Sequence, residues 1–335
     1  MEIKLSICIP TYNRANFLEQ TLNNIVSQIE KNIEVIIVDG ASTDNTEQIV
    51  QSFKREVSCI SYVRQDRNQG VDKDILKAVE VARGEYCWLF SDDDCLEKGA
   101  IAYVLSLLST HTQIAGLSLN IAAYDKELKF RIREVPSISQ NLITENYLFV
   151  ERNHCFSMLG VHFGYLSGQI IKKKLWQEVI AKNDLSAYYN CWLLVYIIGK
   201  ILELNPNWLY VHDRCVSYRS GNDSFLGRFG LYNRQVIAHV AFEKVIRDLF
   251  GKTNSVYRNI VKTILTDRLP RNLAMIKANN ASVIVQYKLL ILYCKQYWRY
   301  PLLWIKVVPI FLIPNFFLRS VRGIYFWWSS IRNNS

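Results

Sequence analysis

Asp92, Asp93 and Asp94 follow the apolar run Cys87–Phe90 with only Ser91 between. Three adjacent carboxylates repel. At about 4 Å each pair costs roughly 1 kcal/mol in water, and several-fold more near a protein surface. A chain that keeps them at a strand end either leaves them in solvent or supplies a cation. One acidic residue ahead of a helix would complement its dipole; three exceed that need. A hard divalent ion, Mg2+ or Mn2+, held by one or two carboxylates together with a substrate's phosphates, fits the pattern.

Three further polar clusters stand in comparable places. PTYNR (Pro10, Thr11, Tyr12, Asn13, Arg14), DGASTD (Asp39–Asp44) and RQDRNQG (Arg64–Gly70) each follow a short apolar run. Asp39 comes directly after EVIIV, and a carboxylate there can accept a hydrogen bond from a base ring or a ribose hydroxyl. Ser42 and Asp44 are more simply a turn and a helix cap. Arg14, Arg64 and Arg67 either sit in solvent, the usual fate of Arg, or pair with a diphosphate. Asn68, Gln69 and Gly70 form a turn in the plainest reading.

The elements that must position these clusters alternate. Lys4–Ile9, Glu34–Val38, Ile60–Val63 and Tyr86–Phe90 have strand character, the second apolar enough to be buried on both faces. Between them Phe17, Leu18, Leu22, Ile25 and Val26 recur at helical spacing. Asp44 with Glu47 resembles a capping box opening a helix through Phe53. Asp72–Ala82 is predicted as a helix closed by Gly84, and another runs from about Lys98 to Leu108. This alternation predicts a parallel sheet with right-handed crossovers, and places all four clusters at the carboxyl ends of its strands, where such sheets bind ligands. Further on, Ile114–Leu119, Gln169–Ile171 and Trp208–Val211 are strand-like, Leu193–Leu202 fits a buried helix, and the pattern is helical from Phe229 to about Ile264.

The 335 residues, 50% apolar and 21% charged, describe a globular chain with room for one large domain or two. Eight scattered cysteines without a CxxC pair argue against a zinc site or disulfide scaffold and for a reducing compartment. No basic segment followed by a long apolar run opens the chain, so no signal peptide is expected and a cytoplasmic location is. The net charge of +10 is uneven: the last acidic residue is Asp267, and residues 1–267 are neutral as a whole.

ICIPTYNR, VIIVDGASTDNTEQIV and RNQGVDKDILKAVEVARGEYCWLFSDDD, in this order and at these separations, resemble the nucleotide-sugar domain of family 2 glycosyltransferases, which have the GT-A fold. The resemblance covers roughly residues 3–110. It implies a nucleotide site lined by Pro10–Arg14, a base contact at Asp39, and a divalent metal at Asp92–Asp94 holding the donor diphosphate. The family's common acidic motif is Asp-x-Asp-Asp; here Ser91 stands first. We assign Asp92 and Asp94 to the metal, Asp92 also to the donor, and Asp93 beside them to catalysis.

A narrower resemblance, to bacterial O-antigen transferases of the abequosyltransferase type, extends to about residue 225 through GVDK, FGYLSGQIIKK and RSGNDSF. It implies that Arg67, Asn68, Gly70, Asp72 and Lys73 lie near the donor, and that Asn222 and Asp223 sit on a loop over it; a plain turn is the alternative for that loop. An inverting transfer needs a base. Family members often place it in a Glu-Asp pair, absent here, so Asp184 is the first choice, with Asp213 and Asp223 as alternatives. His154 and His162 either shape an acceptor site or are structural.

The tail, YWRYPLLWIKVVPIFLIPNFFLRSVRGIYFWW, has an uncharged run of 12 residues from Val307 to Leu318, short of the ~20 that span a bilayer. Aromatics and an exclusively basic charge set fit a segment lying in the headgroups of an anionic leaflet; packing on the domain or a dimer contact is the alternative. Charge alone would also suit nucleic acid, but the aliphatic bulk fits lipid, and no nucleic-acid partner is expected.

Taken together, the expectation is an α/β, GT-A-like protein with a mostly parallel sheet, flanking helices, and a helical C-terminal region ending in a membrane-associating tail. Residues 1–120 form the nucleotide-sugar half, 121–225 the acceptor half, 226–296 the helical region and 297–335 the tail. Its expected activity moves a sugar from a nucleotide-sugar to a polyprenyl-diphosphate-linked oligosaccharide at the inner face of the cell membrane; a homo-oligomer is compatible with this. Competing readings are a membrane-bound scaffold with a degenerate site, and a sugar-nucleotide pyrophosphorylase, which should carry a Gly-rich basic loop where PTYNR stands.

Overall fold

The computed structural model describes residues 2–134 and 143–319. The chain divides into two compact units, Met1–Asn222 and Asp223–Ser335. In the first, elements follow in the order β1 (Leu5–Thr11), α1 (Ala15–Val26), β2 (Ile33–Asp39), α2 (Thr46–Glu56), β3 (Ile60–Arg64), α3 (Val71–Val81), β4 (Tyr86–Leu89), β5 (Cys95–Leu96) and α4 (Ala100–Thr110). Then come β6 (Gly116–Tyr124), β7 (Arg131–Glu134), β8 (Tyr147–Phe149), α5 (Arg152–Leu159), β9 (Gln169–Lys172), α6 (Lys173–Lys182), α7 (Leu193–Leu204) and β10 (Trp208–Arg219).

The strands form one sheet in the order β3-β2-β1-β4-β9-β6-β10-β5, with β7 on β6 and β8 on β10. Strands β1 to β4 are parallel neighbours, as the alternation predicts. Every residue of β1 and β2 is buried, because helices cover both faces, and Leu18, Leu22 and Ile25 of α1 belong to the same core as Leu5, Ile7 and Ile9. Beyond β4 the pattern changes. Strand β9 inserts antiparallel between β4 and β6, and β10 returns parallel to β6. The sheet is therefore parallel in its first half and mixed in its second.

Two local expectations are corrected. Helix α2 does not open on a reciprocal box: Asn45 is its N-cap, and Asp44 accepts instead from Thr46 N and Oγ1 and from Ala15 N at 3.0 Å, joining the starts of two helices. Gly84 is not a left-handed helix terminator either. A Cβ there would lie 2.6 Å from Ser6 Oγ and 2.8 Å from Ser6 N, so close approach of two backbones demands the glycine.

The second unit is helical: α8 (Ser224–Gln235), α9 (Phe242–Phe250), α10 (Ser255–Thr263), α11 (Leu269–Ala278), α12 (Val283–Tyr297) and α13 (Val308–Leu312). Three π-turns interrupt it, at Val236–Ala241, Ile264–Arg268 and Leu303–Val307. Of the expected tail, residues 320–335 lie outside the described residues. The part before them packs on its own unit: Tyr297, Leu303 and Val307 are buried, and the buried Lys277 donates through Nζ to Phe311 O at 2.7 Å. Its other face is open, with Trp298, Trp304, Ile305, Leu312 and Phe317 exposed. Among the described residues no helix is long and apolar enough to cross a membrane.

Candidate active site

The acidic triplet sits just past β4, at the carboxyl edge of the parallel strands, and its three carboxylates have different surroundings. Asp92 is buried: Oδ2 accepts from Thr11 Oγ1 and Oδ1 from Arg14 Nε, both at 2.8 Å. Asp94 is buried more deeply, taking Tyr165 OH and Ser167 Oγ at 2.6 Å on one oxygen and Arg219 N at 3.1 Å on the other. Asp93 is half-buried, its side chain 13% exposed against 8% for Asp92. It accepts from Ser91 Oγ on one oxygen, and from Arg14 Nη2 and Asn222 Nδ2 (2.8 Å) on the other.

Burial raises the pKa of Asp92 and Asp94, and the charge of Asp93 adds to the rise in both; Arg14 opposes it at Asp92, and the two hydroxyls oppose it at Asp94. Behind the triplet, the buried Arg219 donates through Nε to Asp93 O at 2.8 Å, through Nη1 to Lys126 O at 2.5 Å and through Nη2 to Gln20 Oε1 at 2.8 Å. Both guanidinium groups lie against the Phe17 ring, Arg14 at 4.8 Å and Arg219 at 5.1 Å from its centroid. Thr21 Oγ1 holds the turn itself through Asp92 O and Asp94 O.

Could this cluster hold a divalent ion? Among the described residues no three His, Cys, Asp or Glu side chains are arranged to enclose one. The chain alone makes no cage, which is the usual condition of Mg2+ held by one or two carboxylates plus phosphates and water. Three carboxylates stand here beside the guanidinium groups of Arg14 and Arg219, and an ion would offset the repulsion among them. The residues fit. Asp92 accepts from two donors and Asp93 and Asp94 from three each, and Asp93 is the least buried of the three.

The other strand ends converge on the same edge. Asp39 ends β2 and is buried, Oδ1 accepting from Ser42 N at 2.8 Å and Oδ2 from Tyr62 OH at 2.6 Å. Burial and this carboxylate push the Tyr62 pKa well up, so the phenol stays a donor. Asn13 adopts a left-handed backbone (φ 54°), tolerated by Asn. Asn13 N donates to Ser42 Oγ at 2.8 Å, and Asn13 Oδ1 accepts from Thr43 N at 2.7 Å, which clamps the first loop to the second. Pro10 and Thr11 are buried at the strand end while Tyr12 is exposed.

Arg64 supports this loop through Ser42 O at 2.8 Å, whereas Arg67 is exposed. Asn68 Oδ1 caps the turn at Gly70 N, and Gly70 (φ 92°) precedes α3. In the first turn of α3, the buried Asp72 accepts from Cys191 N at 2.9 Å, and burial pushes its pKa up to about 6. Lys73 Nζ lies 3.8 Å from the Tyr189 ring centroid, a cation–π contact. Asp72 and Lys73 therefore tie the start of α3 to the segment before α7.

Among the described residues the base candidates make no hydrogen bond to the triplet. Asp184 is exposed, accepting from Ser186 N and Oγ at 2.9 Å; these bonds hold its pKa below the usual carboxylate range. Asp213 is exposed on β10 and accepts from Tyr103 OH at 2.9 Å. Asp223, in the second unit, caps α8 by accepting from Leu226 N and pairs with Arg234 Nε at 2.9 Å. His154 packs edge-on against Tyr147 and Phe149. His162 is buried, with Nε2 on Leu119 O at 2.9 Å, and burial pushes its pKa down to about 4; both histidines have structural settings.

Tyr62, Tyr165, Ser167 and Arg219 are site residues that reading by position did not single out. Tyr165 and Ser167 lie within FGYLSGQIIKK and Arg219 opens RSGNDSF, so those segments carried the signal without resolving which side chains mattered.

The Glycosyl transferase family 2 model matches residues 6–179. An abequosyltransferase of Salmonella typhimurium is 32% identical over 281 residues, covering 79% of this chain and 80% of its own length. Glycosyltransferase GlyG of Streptococcus pneumoniae is 30% identical over 225 residues, 65% of this chain and 72% of that protein. Two solved structures share the fold. Staphylococcus aureus TarS 1-349 in complex with UDP-GlcNAc has a TM-score of 0.55 at 18% identity, over 74% of this chain and 65% of that one. The mannosyltransferase PcManGT of Pyrobaculum calidifontis, in complex with GDP-Man and Mn2+, has a TM-score of 0.54 at 15% identity, over 97% and 88%. The matched span begins in β1, ends within α6, and takes in the carboxyl ends of β1, β2, β3 and β4: the chain is a glycosyltransferase and belongs to glycosyl transferase family 2.

Proposed function

We propose that the chain transfers a sugar, with inversion, from a nucleotide-sugar donor to a polyprenyl-diphosphate-linked oligosaccharide in bacterial O-antigen or related surface polysaccharide synthesis. The carrying observation is the convergence of Thr11, Arg14, Asp39 and the triplet on one edge of the sheet. Asp39 and Tyr62 are placed to hold the base or ribose. Asp92 orients Arg14, and Asp93 is the carboxylate presented to a Mg2+ or Mn2+ ion, with Asp94 fixing the turn behind it. When bound, the ion supplies Lewis-acid stabilisation of the departing diphosphate. A relative named as a GalNAc(5)-diNAcBac-PP-undecaprenol beta-1,3-glucosyltransferase, 33% identical over 103 residues, supports a lipid-linked acceptor, and the Mn2+ of one structural neighbour supports the metal. Thermal-shift titration with UDP-, GDP-, CDP- and dTDP-sugars, each with and without Mn2+, tests the reading. One nucleotide class should stabilise the protein only with metal; a flat response to all four ends it.

For the base we retain Asp184, whose hydrogen bonds among the described residues stay within its own turn. Each oxygen accepts a single bond, leaving lone pairs for an acceptor hydroxyl. Asp184→Ala should lower transfer about 10²- to 10⁴-fold without changing donor affinity. Because its pKa is depressed, the carboxylate stays ionised as pH falls, so the acid limb of kcat should lie below the ordinary carboxylate range. An unchanged rate would assign Asp184 to the turn alone.

The exposed face of the tail supports residence at the cytoplasmic surface of an anionic membrane, where a lipid-linked acceptor is anchored. Deleting 297–335 is a poor test, since it strips the buried Tyr297, Leu303 and Val307. Replacing the exposed Trp298, Trp304 and Phe317 with Ser is the better one. This variant should lose about tenfold in cosedimentation with phosphatidylglycerol vesicles, and wild-type binding should weaken with salt. Equal pelleting by both proteins would remove the membrane from the reading.

A further inference from the structure

The second unit contains a cleft of about 420 Å3. Leu226, Leu231, Ala238, Met275 and Ile276 give it an apolar wall, and Asp223, Arg234, Gln235 and Asn272 stand beside them. Its shape follows from the backbone. Gly230 breaks α8 at φ 73°, and a Cβ at Gly227 or Gly230 would meet nothing within 4 Å. The π-turn at Val236–Ala241 then carries Ala238 to the wall, and the one at Ile264–Arg268 precedes Asn272. Such turns recur at functional sites.

The polar side of this cleft is rich in donors. Arg234 gives Nε to Asp223, while its Nη groups make no hydrogen bond among the described residues. Asn272 Nδ2 faces Nε2 of the buried His239 at 3.1 Å. An amide nitrogen only donates, so the ring proton belongs on Nδ1, which is buried without a partner. Burial, then Arg268 and Arg234, push the His239 pKa down to about 3, so this ring is a neutral element. The whole unit has seventeen Lys and Arg against the four acids Asp223, Glu243, Asp248 and Asp267. Asp223, also in the lining, offsets the charge of Arg234 locally; the open Nη donors beside an aliphatic wall, in a strongly basic unit, match an anion joined to a hydrocarbon chain.

We propose that this cleft binds the diphosphate head and first isoprenoid units of a lipid-linked substrate, with Arg234 on the phosphates and Met275 and Ile276 against the chain. The assignment rests on the acceptor class proposed above and gives it a place in the second unit.

The test is calorimetric titration of the full chain with farnesyl diphosphate, with farnesol and inorganic pyrophosphate as separate arms. Farnesyl diphosphate should bind saturably and about tenfold or more tighter than either fragment. Arg234→Ala, which removes charge-assisted bonds, and Met275→Trp, which fills the cleft from an exposed position, should each weaken it about tenfold or more. Circular dichroism guards against misfolding. Binding that both variants leave intact, binding matched by pyrophosphate or by farnesol, or no binding at all would overturn the assignment. Donor binding with Mn2+, measured on the same preparation, separates the two failures: a protein that takes a nucleotide-sugar but not farnesyl diphosphate refutes the cleft alone.

Discussion

Asp93→Asn should lower glycosyl transfer about 10³-fold while leaving the melting temperature within a few degrees of wild type. The activity loss follows from the charge. A metal ion's stabilisation of a leaving phosphate amounts to several kcal/mol, and about 4 kcal/mol is three orders of magnitude in rate. Asparagine keeps the size of the side chain but brings a neutral oxygen to a site whose cation needs a carboxylate. The stability forecast follows from the partners. Ser91 and Asn222 can still hydrogen-bond an amide, and Arg14 retains Asp92 through Nε. Asp92→Asn should behave differently, because Asp92 accepts from both Thr11 and Arg14 in a buried setting. There the fold should soften along with the rate. Metal-dependent donor binding should vanish in the Asp93 variant and survive, weakened, in the Asp92 variant. Turnover by Asp93→Asn within tenfold of wild type would return the metal to the carboxylates chosen from sequence.

Much of the site was legible because parallel strands deliver their loops to one edge. Four apolar runs, each followed by a polar cluster, suffice to gather Pro10–Arg14, Asp39, Arg64–Gly70 and the triplet without any long-range information. What was not legible comes from long-range closure. Tyr165 and Ser167 reach Asp94 from 71 and 73 positions away, and Asn222 reaches Asp93 from 129. They arrive through the antiparallel insertion of β9 and the return of β10, whose register nothing local specifies. Periodicity also cannot tell a half-buried carboxylate from a buried one when three stand in succession. The preference for Asp92 and Asp94 was made without burial to guide it; in the fold Asp93 is the least buried of the three. The same limit explains Gly84: a glycine after a helix suggests a left-handed terminator, while the actual constraint is Ser6, seventy-eight positions earlier. In the tail, composition recognised an amphipathic segment but not that its inner face is already occupied by its own unit.

Arg219→Met should cost about 3 kcal/mol, and with it roughly 10 °C of melting temperature for a unit of this size. Methionine fills a similar length and keeps the contact with Phe17, so the loss isolates the guanidinium. Three acceptors are then left without it. Asp93 O lies inside the turn and takes most of the penalty; Lys126 and Gln20 are exposed, and water replaces much of what they lose. A second contribution is electrostatic. Arg14 and Arg219 are the two cations beside three carboxylates, and removing one leaves the cluster's repulsion less offset. Transfer should fall as well, since the Asp93 backbone is positioned by the same bonds. Arg219→Lys separates the two contributions: it restores charge but not the planar fork that reaches three acceptors at once. It should recover part of the stability and little of the rate. If Lys restored both, charge alone would be the role of Arg219. If Met melted within about 2 °C of wild type, the triplet would be held by its hydroxyl donors, and Arg219 would be a bystander to the site it lies behind.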